Sequence, residues 1–172
     1  MTPFTKYPLL LLLLSGVQFS SCQPAMKLAV YSRTFTPGIV PIRDIPDENG
    51  NRTIKKPSAK TYHYIYVTMA PDISISPDRV WIMGKPYAIK EVIPVETPVL
   101  SDDSEPRVLV NLTSDRVFRI EPADTISGSA TIPEKISSQV QENEFVLQYH
   151  WKQKPWYKTV ARIITLPPFH AQ

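Results

Sequence analysis

The chain reads as an all-β protein, and three features of its sequence say so. Eighteen prolines stand against five glycines. From Pro37 through Pro41, Pro46, Pro57, Pro71, Pro77, Pro86, Pro94, Pro98 and Pro106 they interrupt the chain at spacings that long helices do not survive, because proline removes a backbone donor and clashes with the preceding turn. Between these breaks lie short runs of Val, Ile, Tyr, Thr and Trp, residues that fit a pleated, half-buried surface. The third feature is strict alternation over residues 61–69, which puts Tyr62, Tyr64, Tyr66 and Thr68 on one face and His63, Ile65, Val67 and Met69 on the other.

Taken in order, residues 28–31 open a first strand, and residues 36–60, with four prolines and an Asp-Glu-Asn-Gly turn at 47–50, form a long surface loop. The strand at 61–69 follows. Residues 79–83 and 87–92 then make a tight hairpin about Gly84-Lys85, and Pro86 marks the start of its second strand or a sheet edge. A second loop carries Pro94, Pro98 and the acidic Asp102, Asp103 and Glu105. Residues 107–112 and 116–121 suggest a further hairpin about Thr113-Ser114-Asp115, with Val108, Val110, Phe118 and Ile120 turned inward. From 123 to 143 the pattern weakens to an irregular strand and loop, or one short helix around 134–140. The signal returns as a terminal hairpin of residues 145–151 and 157–166, ended by Pro167-Pro168. Seven or eight strands at such spacing imply a single antiparallel two-sheet sandwich over residues 28–172, immunoglobulin-like or transthyretin-like.

The segment before that domain has a different character. Lys6 precedes an apolar run over residues 9–17, closed by Phe19-Ser20-Ser21-Cys22. At about 1.5 Å per residue the run reaches roughly half of a ~30 Å hydrocarbon core, too short for a transmembrane helix and suited to a signal peptide. Cys22 is the only cysteine. The segment resembles the signal peptide and lipobox of bacterial lipoproteins: an apolar residue, two small ones, then the lipidated cysteine. The resemblance covers residues 1–22 and implies removal of residues 1–21, a diacylglycerol thioether on Cys22 with a further acyl chain (palmitate or similar) on its new amino group, and a tether over 22–27. Several chains are needed, since one acyl chain alone holds only marginally. Gln23 follows the cysteine, where some bacterial lipoproteins carry an aspartate that retains them in the inner membrane; its absence points to the outer membrane of a Gram-negative envelope.

Composition narrows the partners. Removing 1–21 takes away one base, Lys6, so 19 basic residues become 18 against 16 acidic ones. That near-neutral balance, with no basic block, gives no reason to expect nucleic acid. With one cysteine the domain has no internal disulfide, and packing must hold it.

Two aromatic stretches are candidate binding surfaces. The Tyr62, Tyr64, Tyr66 stripe can stack on a sugar or peptide and hydrogen-bond through its hydroxyls, or pack at a sheet edge with the hydroxyls wet. Tyr149, Trp151, Trp156 and Tyr157, interleaved with His150, Lys152, Lys154 and Lys158, form either a second such surface or a cross-strand cluster that stabilises its hairpin. No catalytic motif, local metal spacing or phosphate-binding glycine loop stands out. The sequence therefore points to a non-enzymatic envelope lipoprotein, without a cofactor apart from its lipid, that binds a protein or glycan. The alternative is a hydrolase or metal enzyme assembled only in three dimensions, using His63 or His150 with Asp78 or Glu91.

Overall fold

A computed structural model describes residues 23–37, 58–101, 106–112, 114–126 and 132–170. The strands are β1 (Met26–Thr36), β2 (Lys60–Met69), β3 (Ser76–Ile82), β4 (Lys85–Pro94), β5 (Val99–Leu100), β6 (Val108–Val110), β7 (Arg116–Ile126), β8 (Phe145–Trp151), β9 (Lys154–Val160), β10 (Ile164–Thr165) and β11 (Phe169–His170). A 3-10 turn at Glu134–Ile136 leads into one helix, α1 (Ser137–Glu142), where the sequence allowed a short helix. Among the described residues no helix is long and apolar enough to cross a membrane. The signal segment, Cys22, the 47–50 turn and the acidic 102–105 run lie outside the described residues.

The protein is mostly β. Among the described residues nine strands form one mixed sheet in the order β10-β1-β2-β7-β4-β3-β8-β9, with β11 also on β1, and β5 pairs with β6 in a separate ribbon. Most pairs are antiparallel, but β10 and β11 run parallel to β1. The sheet has to be curled. Its two ends, β9 and β10, are joined by the link 161–163, which spans at most about 14 Å, whereas eight flat strands would spread over roughly 34 Å. Register shifts between Tyr87 and Ile89 and between Ile89 and Glu91 break the β4–β7 ladder midway along the sheet, where bulges let it bend. Gln23, just ahead of β1, donates its side-chain amide to the Tyr157 carbonyl of β9 at 3.1 Å, drawing the far edges together.

Alternation sorts the side chains into three clusters. The inner face collects Val30, Ile65, Val67, Val80, Ile82, Ile120, Phe145, Leu147 and Tyr149 from strands that are not neighbours, so the walls β1–β2–β7 and β3–β8 meet across one core. The 61–69 alternation puts Ile65, Val67 and Met69 on this face. The outer face is covered twice. The β5–β6 ribbon packs Val110 onto Tyr31, Tyr66 and Val117, and Tyr31 Oη donates to the Leu109 carbonyl at 2.7 Å. The 3-10 turn and α1 set Ile136 and Val140 against Trp81 and Val146.

Three local readings change. β1 takes in Met26 and Lys27, assigned from sequence to the tether, and runs on to Thr36. Residues 107–112 do not form a hairpin with β7; β6 pairs with Val99–Leu100 and leaves Val108 exposed, because Val110 is needed on the outer face. The last strand is divided: β9 stops at Val160, and Ile164 and Thr165 cross to Tyr31 and Ser32 of β1. Glu144 fixes that crossing, since its carboxylate accepts from Ile163 N at 2.7 Å while its backbone bonds Ala161 and Met83.

Candidate functional site

A wide opening begins where one ladder stops. β2 and β7 pair from Met69 opposite Arg116 to Ile65 opposite Ile120 and no further, although β2 extends back to Lys60 and β7 forward to Ile126. The first half of β2 keeps β1 on its other side, and the second half of β7 keeps β4. Pro122 gives the local reason: two residues after the last pair, β7 carries a residue with no N–H to donate. Between the parted strands lies a cleft of about 840 Å³.

Its floor is apolar, made by Ile82, Tyr87 and Ile120, and its β2 wall is residues 60–64. Lys60, Lys90, Arg119 and Glu121 line it as well. Arg119 Nη2 donates to Glu121 Oε1 at 2.5 Å, which leaves Lys60 and Lys90 as the cations without an acid partner among the described residues. Beside the mouth, Tyr62 is 47% exposed and meets Phe35 edge-on at 5.7 Å, and Phe35 in turn stacks against Phe169 at 4.5 Å.

His63 stands in the β2 wall, with Nδ1 buried and lacking a hydrogen-bond partner among the described residues. Burial lowers its pKa below the ordinary 6.5, so the folded ring is neutral at pH 7. The unfolded chain then takes up the proton first as the pH falls, and stability present above 6.5 is lost as the pH drops from that value toward the lowered folded pKa. Urea unfolding of the wild type at pH 7.5 and 5.0, beside His63→Gln, checks this: the variant is expected to lose less stability between the two.

The other sequence-predicted residues separate. Tyr64 lines the cleft with Tyr62, but Tyr66 is 4% exposed beneath the ribbon. Tyr149 is fully buried on the inner face, Trp151 and Trp156 pack at the edge of the same core as a T-shaped pair 6.0 Å apart, and Tyr157 packs on the opposite face under α1. Lys152 lies 4.5 Å over the Trp151 ring. The seven aromatics thus form no single surface, and a β8–β9 patch made of all four is divided by the pleat. The tight β8–β9 turn puts both Lys152 and Gln153 at positive φ, which costs roughly 1–2 kcal/mol per non-glycine residue; the Trp pair recovers only about 0.2–1 kcal/mol of that.

Tyr149 Oη is buried without a partner among the described residues, and desolvation raises its pKa above 10.0. Removing an unsatisfied buried hydroxyl recovers its desolvation cost, so Tyr149→Phe is expected to raise the unfolding free energy by about 1 kcal/mol, read from the urea midpoint.

His63 on β2 and His150 on β8 have β7, β4 and β3 between them in the sheet order. Asp78 is held by Gln148 Nε2 at 2.6 Å, and Glu91 sits opposite Glu121. Among the described residues no three His, Cys, Asp or Glu side chains gather as metal ligands would. What the cleft offers is an unpaired strand edge, an apolar floor, a cationic rim and an aromatic flank. Sequence reasoning found Tyr62 and Tyr64 but missed Lys60, Lys90 and Arg119; Pro122 within a strand-like run was the available signal. Compared with known proteins, the chain matches no family model, no curated protein and no solved structure.

Proposed function

We propose that the protein is a lipid-anchored envelope module, held on the outer membrane through Cys22, whose β domain binds an envelope protein or glycan and carries out no reaction of its own. The observation that carries this reading is the position of Cys22: the only cysteine closes a short apolar run and lies four residues ahead of β1. Four extended residues span at most about 14 Å, and Gln23 is already bonded to β9. A lipid on Cys22 would therefore hold the Met26 end of β1 close to the bilayer. Met26 pairs with Met69, and Lys60 is at the other end of β2, roughly 30 Å farther out at strand rise. With β2 upright on the bilayer, the cleft would face the aqueous side, where a partner could reach it. The facing walls of the curled sheet support a sandwich-like reading, a cross-section it would share with immunoglobulin-like and transthyretin-like binding modules. Fractionating cells that express the wild type or Cys22→Ala tests the reading, which requires the variant to leave the membrane fraction.

A further inference from the structure

We propose that the cleft between β2 and β7 takes an acidic, extended protein segment by strand addition. The proposal rests on the binding-module reading for the direction the cleft faces, but its chemistry stands on the cleft itself. Residues 60–64 of β2 are held by β1 on one side and, among the described residues, have no strand on the other. Alternate backbone N–H and C=O groups along that edge are thus available to a partner strand, the mode in which main-chain hydrogen bonds supply affinity and side-chain pockets supply choice.

The cleft also sets which peptide fits. Side chains of an added strand alternate, so one set would meet the floor of Ile82, Tyr87 and Ile120 and the other would point to the rim. On the rim, Glu121 is already engaged by Arg119, and Lys60 and Lys90 stay uncompensated among the described residues. Neutral His63 adds no further charge. An apolar residue alternating with an acidic one matches both requirements. The exposed Tyr62, packed on Phe35, which in turn meets Phe169, extends the surface at one end.

The test measures fluorescence anisotropy of a labelled hexapeptide of alternating valine and glutamate, with the full chain purified in detergent. Three comparisons accompany it: a valine–lysine peptide, the acidic peptide with alternate amides N-methylated, and the K60E/K90E variant, whose two sites are exposed and whose fold is checked by circular dichroism. Strand addition predicts saturable binding of the acidic peptide and at least about a tenfold loss of affinity in each comparison. Absence of binding up to about 1 mM overturns the proposal. So does binding that N-methylation leaves unchanged, which would mean a purely electrostatic contact, or binding that appears only when residues 40–55 are deleted, which would make the chain's own loop the occupant. Because the protein is in detergent, none of these results depends on whether Cys22 carries lipid, so failure here and failure of anchoring are separate outcomes.

Discussion

Trp81→Ala is expected to lower the unfolding free energy by about 3–5 kcal/mol, the range for truncating a large buried aromatic. Trp81 faces away from the inner core, and in a sheet with one wet face such a residue would be exposed and its loss would cost within about 0.5 kcal/mol. Here it is 1% exposed, enclosed by Ile136, Val140 and Val146 with Ile132 and Tyr157 beside it. Against a total stability of about 5–15 kcal/mol, the loss is enough to bring a marginal domain close to its unfolding threshold. Trp81 Nε1 has no hydrogen-bond partner among the described residues, so the ring's value is packing, and Trp81→Phe should keep most of it. Urea unfolding of both variants, with Ile136→Ala alone and combined with Trp81→Ala, measures the contact: a coupling energy above about 0.5 kcal/mol is the signature of α1 seated on β3 and β8. A loss below about 1 kcal/mol for Trp81→Ala would mean that the outer face is not covered as described.

How much of this was legible in the sequence depended on the range of the interaction that decides each feature. The alternation of 61–69 is local, and it correctly placed Ile65, Val67 and Met69 on the core side. The hairpin about Gly84 was also written in nearby residues, although its turn is Met83–Gly84, with φ of 49° and 77°, rather than Gly84-Lys85; the short helix near 134–140 was one of two readings the sequence left open. The pairing of β6 with β5, the crossing of Ile164 to β1 and the parting of β2 from β7 were not legible. Each is a choice between distant strands with similar patterns, made by what the opposite wall requires: Val110 over Tyr66, the Glu144 carboxylate under Ile163, Pro122 without a donor. The cleft followed from the last of these. Its lysines, scattered at 60 and 90 in sequence, carried no pattern of their own.

The other large effect is expected at Cys22. In Cys22→Ala the thiol proposed to accept the lipid is gone and no other cysteine of the sequence can replace it, so on this proposal the protein is expected to pass from almost wholly membrane-bound to almost wholly soluble or unprocessed. The size of the effect follows from chain arithmetic. At about 0.8 kcal/mol per buried CH₂, two or more acyl chains hold a protein stably, and a near-neutral domain has little electrostatic attraction to substitute for them. A basic surface patch acting as the anchor would instead leave Cys22→Ala on the membrane and release the wild type in high salt. The two anchors therefore give opposite patterns, and the lipid reading requires a wild type that salt does not remove.

The most direct measurement is the intact mass of the protein purified from a Gram-negative host, with its N-terminal peptide sequenced. Lipidation at Cys22 predicts a mature chain that begins at Cys22 and is heavier than its amino-acid mass by a diacylglycerol and one further acyl group. A chain that begins elsewhere, or begins at Cys22 with a free thiol and no added mass, would contradict it.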